Sequence, residues 1–197
     1  MGKSVDFYFD VGSPAAYLAW TQLPALCLET GATLNYRPML LGGVFQATGN
    51  RAPISVPLKG SYLFDDLGRF ALRYGVPFSL NPYFPVNTIT VMRIAAGLEM
   101  RADMRLEAYL QAVFDAIWVD GRNMSDPATV ADVLQTVGLD AAELMALAAD
   151  SQVKDRLRLQ TEAAVARGVF GAPAMFVDGI LYWGQDRLDF VREALSA

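Results

Sequence analysis

The sequence predicts an α/β protein in which a β-α-β opening and a β-β-α ending are separated by a long, mostly helical stretch. Three observations carry that prediction. The run Phe7-Tyr8-Phe9-Asp10-Val11-Gly12-Ser13-Pro14 reads as an aromatic-rich strand, a glycine turn and a helix opened by proline. Near the other end, Asp178-Gly179 stands between two short β-prone runs, the strongest two-residue hairpin signal in the chain. Between these segments apolar residues recur at helical spacing.

Residues 5–10 alternate in polarity and form the first strand. From residue 14 to about 30 a helix is expected, with Tyr17, Leu18, Leu23, Leu26 and Cys27 on its apolar face, a stop at Gly31 and a kink at Pro24. Residues 33–37 read as a second strand, completing a β-α-β unit with parallel strands. Residues 42–60 are rich in Gly, Pro and Asn and read as a long loop. A short helix over 65–74 follows, then an extended stretch over 81–87, because a residue before proline is pushed out of the helical region.

Val91, Ile94, Ala95 and Leu98 define one further helix, and Leu106, Tyr109, Leu110, Val113, Phe114 and Ile117 the next. That second stripe belongs to the core or to a dimer interface. Asp126-Pro127 caps a third helix, Asp140 with Glu143 forms a capping box for a fourth, and a longer one runs over about 152–167. After the hairpin, Asp186 and Asp189 suggest a capped terminal helix that turns Leu188, Val191 and Leu195 inward. The expected division is residues 1–41 with 168–197 in one discontinuous domain, and 42–167 as an inserted loop and helical domain.

Composition narrows the function. With 53% hydrophobic and 19% charged residues, the 197-residue chain is able to bury a good core. A net charge of −5 argues against nucleic acid, whose binding needs clustered Lys and Arg. No apolar run approaches membrane-spanning length and the start has no basic-then-apolar leader pattern, so a soluble cytoplasmic protein is expected. The single cysteine excludes an internal disulfide and a paired-cysteine redox centre. The absence of histidine removes imidazole-based nucleophilic catalysis and the commonest metal ligand, and no metal site is expected.

Ser13 is what remains. At a strand–turn–helix junction its hydroxyl and the free backbone N–H groups of the helix start converge on one spot, where an anion is stabilised. With no imidazole to deprotonate it, Ser13 suits holding another molecule's anion better than acting as a nucleophile. Its ordinary alternative is a helix cap before Pro14. Cys27, on the apolar helix face, reads as packing.

The β-α-β…β-β-α order resembles the thioredoxin fold, and Gly171-Ala172-Pro173-Ala174 resembles the cis-proline loop that in that fold faces the head of the first helix. Together with Gly49-Asn50-Arg51, Pro57-Leu58-Lys59-Gly60, the 81–87 run and Gly184-Gln185-Asp186-Arg187, these segments resemble the kappa-class glutathione transferases and, more closely, the bacterial 2-hydroxychromene-2-carboxylate isomerases. The resemblance spans essentially the whole chain. It implies a thioredoxin-like βαβ…ββα domain with an inserted all-helical subdomain, glutathione as cofactor, and a homodimer acting on a small aromatic acid. The implied reaction interconverts 2-hydroxychromene-2-carboxylate and trans-o-hydroxybenzylidenepyruvate.

Carried over by motif, Ser13 contacts the glutathione sulfur and the backbone at Ala172 and Pro173 pairs with the tripeptide main chain. Asp186, beside Gln185, takes the γ-glutamyl ammonium. Asn50 and Lys59 are candidates for the glycyl end or the acid substrate, and Asn87, Tyr83 and Phe84 for the wall of the aromatic pocket. Each has a plainer alternative: a cap for Asp186 and Asn87, a solvated lysine for Lys59, core packing for the two aromatics. Two rival functions remain, a kappa-like transferase or peroxidase and a non-catalytic thioredoxin-like binding module.

Overall fold

Strand β1 (Ser4–Phe9) lies in a four-stranded sheet between β2 (Thr33–Pro38) and β3 (Ala174–Val177), with β4 (Ile180–Trp183) beyond β3, in this computed structural model, which describes residues 2–197. Met1, the first residue of the expected 1–41 segment, lies outside the described residues. Val5, Phe7, Tyr8 and Phe9 are all buried, as a strand covered on both faces requires. Helix α1 (Pro14–Thr30) carries the chain over to β2 (Thr33–Pro38), which pairs parallel to β1 from Ser4–Thr33 to Phe9–Pro38. On the other side β3 (Ala174–Val177) pairs antiparallel to β1, and β4 (Ile180–Trp183) pairs antiparallel to β3. Asp178 and Gly179 both have positive φ, the twist-matched hairpin turn that this dipeptide favours. The C-terminal ends of β1 and β4 and the N-terminal end of β3 therefore lie at the same end of the sheet.

Between β2 and β3 the chain forms seven helices: α2 (Leu41–Thr48), α3 (Pro57–Tyr74), α4 (Ile89–Met100), α5 (Leu106–Trp118), α6 (Pro127–Thr136), α7 (Ala141–Ala149) and α8 (Ser151–Ala166). Helix α9 (Leu188–Ser196) closes the chain. The helical spacing is realised in the core: Phe114 and Trp118 of α5 pack with Tyr17 and Trp20 of α1, with Phe78, and with Phe9 of β1. Cys27 is buried in the same core.

The structure corrects four local expectations. The stretch over 42–60 is not one loop, because α2, a 3-10 turn at Pro53–Ser55 and the first turn of α3 occupy most of it. Two of its four glycines serve close packing: a Cβ on Gly43 would lie 3.2 Å from Thr161 of α8, and one on Gly60 3.2 Å from the Ile54 Cα. The helix expected over 65–74 starts eight residues earlier, with Pro57 in its first turn. Only half of the capping box forms. Asp140 accepts the Glu143 N–H at 3.0 Å, but the Glu143 carboxylate is drawn away to Arg105. Finally, Asp186 does not cap α9. It sits in a 3-10 turn over Gln185–Arg187, paired with Arg187, and α9 starts at Leu188 without a side-chain cap. Pro24 lies within a helical run unbroken from Pro14 to Thr30.

Candidate active site

Ser13 caps α1 and touches the proline loop at the same time. Its extended backbone ends the turn after β1, and its hydroxyl accepts the Ala16 N–H at 3.2 Å. The same hydroxyl donates to the Ala172 carbonyl at 3.1 Å, across 159 residues of sequence. The Ala172–Pro173 peptide bond is cis, the form its resemblance implied. Ser13 itself is only 4% exposed, and its neighbour Ala15, at the second helical position, is half-buried. Pro14 has no N–H, so the Ala15 amide is a donor at this helix start without an intrahelical acceptor. One hydroxyl and one amide at the positive end of α1 make a site for an anion.

The turn bearing Ser13 is held by the helices that follow β2. The Val11 carbonyl accepts the Trp118 indole N–H at 2.8 Å, and the Val11 amide points at the Met92 sulfur at 3.4 Å. Asp10, which no sequence motif singled out, is 3% exposed. Its carboxylate accepts the Gly12 N–H and the Leu41 N–H, each at 2.9 Å. Burial pushes its carboxyl above the ordinary range, while bonds from Leu41 and Gly12, together with the Thr88 side chain, pull the other way. The available sequence signal was a lone Asp at the end of a hydrophobic strand, which alternation alone cannot distinguish from a solvent-facing end.

The proline loop is braced from both sides. Asn50, just beyond α2, donates to the Phe170 carbonyl at 2.8 Å, which places the 49–51 turn on the segment leading to Ala172. Trp183, at the end of β4, sits over Gly171: a Cβ there would lie 2.7 Å from the indole nitrogen. Phe170 stacks obliquely on the same indole with ring centres 5.0 Å apart. Gly184 donates to the Pro173 carbonyl at 3.1 Å. Its φ is +98°, and a Cβ on it would collide with the Asp186 carboxylate, so glycine is needed there. Gln185 is buried, its carbonyl accepting the Tyr74 hydroxyl of α3 at 2.8 Å, whereas Asp186 is exposed toward solvent.

Ser13 and Ala172 are thus in direct contact, with Pro173 next in the loop and Asn50 bonded to the segment before it. Gln185 and Asp186 instead follow Gly184, whose amide bonds Pro173, and the Gln185 carbonyl turns to α3 and the Asp186 carboxylate to Arg187. Lys59 is exposed in the first turn of α3, on a recess of about 370 Å³ lined by Pro53, Leu58, Tyr62, Leu63 and Asp66. Phe84 packs edge-on against Phe64 and against Trp118, and Tyr83 beside it is 55% exposed. Asn87 is exposed, and its side chain accepts the Ile89 N–H at the start of α4. Asn81 is the buried member of that run, donating to the Ile117 and Arg122 carbonyls at 2.9 Å. Burial pushes the Cys27 thiol up to about 11, which removes it as a nucleophile.

This fold and this junction define a class. Residues 4–196 match the DSBA-like thioredoxin domain. A 2-hydroxychromene-2-carboxylate isomerase of Sphingobium xenophagum is 36% identical over 197 residues, covering 99% of each chain. The structure of a 2-hydroxychromene-2-carboxylate isomerase superposes with a TM-score of 0.85 at 32% identity, over 98% of this chain and 94% of that one. A glutathione S-transferase kappa 2 of Caenorhabditis elegans is 29% identical over 98% of this chain and 92% of its own. The chain belongs to the DsbA-like thioredoxin family, in the branch of the 2-hydroxychromene-2-carboxylate isomerases. It is an isomerase.

Proposed function

We propose that this isomerase uses glutathione to interconvert 2-hydroxychromene-2-carboxylate and trans-o-hydroxybenzylidenepyruvate, or a closely related aromatic acid. The observation that carries the reading is the Ser13–Ala172 contact, which joins an anion-stabilising hydroxyl to a backbone carbonyl of the kind that a peptide N–H takes. The donor set fits the tripeptide. Ala172 offers main-chain pairing, Asp186 an exposed carboxylate for an ammonium, and Asn50 and Lys59 polar groups for a carboxylate end. Relatedness to a glutathione S-transferase supports the same cofactor.

Bound glutathione supplies a thiolate whose reversible addition to a conjugated double bond makes that bond free to rotate. The chain's own task is to keep sulfur anionic without a base. The Ser13 proton now rests on the Ala172 carbonyl. When a ligand N–H takes that carbonyl, the Ser13 proton is free to turn toward a negative sulfur, and the Ala15 amide adds a second donor. A hydrogen bond to a charged group contributes about 1.5–3 kcal/mol, which corresponds to roughly one to two pKa units on a thiol of ordinary value near 8.5. Tyr83, Phe84 and Asn87 are taken as the aromatic end of the site.

The same reading makes the enzyme a cytoplasmic homodimer. Among the described residues no helix is long and apolar enough to cross a membrane, and Leu58, Tyr62 and Leu72 leave apolar surface exposed on α3. The deciding experiment incubates the protein with glutathione and trans-o-hydroxybenzylidenepyruvate and follows both. Conversion with full recovery of the tripeptide supports the isomerase. A stable conjugate or glutathione disulfide instead identifies a transferase or peroxidase, and tight binding without turnover identifies a binding module.

A further inference from the structure

Two helix starts converge on one buried carboxylate, and a third packs beside it. Asp10 accepts the Gly12 N–H in the turn that opens α1. It accepts the Leu41 N–H at the first residue of α2, whose own cap residue, Leu40, has no capping side chain. The side chain of Thr88, the cap residue of α4, packs beside the same carboxylate and favours its charged form. No arginine or lysine among the described residues pairs with it. The positive ends of helices and their free amides supply the compensation that a buried anion needs. The packing around it is closed: a Cβ on Gly12 would lie 2.9 Å from the Thr88 methyl and 3.4 Å from Asp10 Oδ1.

The position of this knot matters. The Asp10 backbone carbonyl accepts the Ser13 N–H at 2.9 Å, so both the main chain and the side chain of Asp10 shape the turn that presents the Ser13 hydroxyl. Through Leu41 the same carboxylate anchors the head of α2, and the far end of α2 leads to Asn50, which braces the loop carrying Ala172. The two groups that share the Ser13 proton, its own oxygen and the Ala172 carbonyl, are therefore registered against each other through Asp10.

We propose that Asp10 is a positioning residue for sulfur activation: it acts through Ser13, setting the angle at which that hydroxyl meets the anion, and does not itself touch the ligand. This inference rests on the glutathione reading above. A displacement of about 1 Å at a reacting group costs up to about a hundredfold in rate, so a small rotation of the turn is enough to be measured.

The test compares wild type with Asp10→Asn, which keeps the shape but replaces one acceptor oxygen by a donor facing a backbone N–H. Two quantities are read: the dissociation constant for glutathione by calorimetry, and the pKa of the bound thiol by ultraviolet thiolate absorbance. The expected result is a dissociation constant changed by less than about threefold, with the bound thiol pKa raised by about one unit, a tenfold loss of thiolate near neutrality. Val130→Ala, a buried change in α6 that also lowers stability, should leave the thiol titration at the wild-type value. Should Asp10→Asn not fold, Asp10→Ser, which keeps a single acceptor oxygen for these amides, carries the same test with an upward shift expected. A wild-type thiol titration in the folded variant overturns the role of Asp10 while leaving the cofactor reading intact. Wild-type protein that binds no glutathione overturns both.

Discussion

The Ser13 hydroxyl and the Ala172 carbonyl are 3.1 Å apart, and this one hydrogen bond ties the first helix to the last third of the chain. The serine hydroxyl here donates to a backbone oxygen, which under the proposed function the tripeptide would compete for. The first prediction follows directly. Ser13→Ala should keep the fold while lowering kcat/KM by about 2–4 kcal/mol of transition-state stabilisation, as loss of an oxyanion-type donor does. Its missing cap should lower stability by about 1 kcal/mol. Unchanged kinetics at saturating glutathione would discard the serine's proposed role.

Asn50 reaches the Phe170 carbonyl from outside the sheet, so its loss should loosen the proline loop and remove a polar group from the proposed tripeptide site. Asn50→Ala should weaken glutathione binding about tenfold, roughly 1.4 kcal/mol, with kcat nearly unchanged. Calorimetry and a KM-against-kcat comparison check it. A lower kcat with unaltered affinity would move Asn50 out of the binding role.

Gly171 has no room for a side chain because the Trp183 indole nitrogen occupies the space. Gly171→Ala should therefore destabilise the protein by about 1–3 kcal/mol. In the Trp183→Phe background the same change should cost less, a coupling of about 0.5–3 kcal/mol in a double-mutant cycle of denaturant unfolding. Strict additivity would show that the two residues do not compete for that space.

Asp6 should set the acid limb of stability. Burial pushes its carboxyl up, but Arg167 at 2.8 Å, Arg37 at 3.1 Å and Asn35 pull it down by more, leaving it below its ordinary value of 3.8. In the window between the folded and unfolded values, the unfolded chain binds a proton that the folded one does not. The contribution is thus present above the ordinary value and is lost as the pH falls through the lower folded one. Asp6→Asn should lower the melting temperature at neutral pH and flatten its decline on acidification. An unaltered acid slope would assign that slope to other carboxylates.

Much of the architecture was legible because it rests on local chemistry. Periodicity marked the buried faces of α4 and α5, and Asp-Gly marked the hairpin, since only a few residue pairs adopt its turn. The motif around Ala172 and Pro173 marked one side of the Ser13–Ala172 contact and the helix-opening serine the other. What misled was glycine. In 42–60 its abundance suggested a loop, whereas at Gly43 and Gly60 it permits helices to approach their neighbours closely. Likewise Glu143, well placed for a capping box, is taken by Arg105 from 38 residues away.

The amino-acid sequence by itself determined that catalysis here proceeds without histidine and without a cysteine pair, and that a serine stands at the head of the first helix. Those are matters of inventory and short-range geometry. Only the tertiary structure decided what that serine bonds to, and that a buried Asp10 holds its turn against the head of α2. Both depend on bringing together backbone groups that every residue possesses, so no side-chain pattern along the chain announces them.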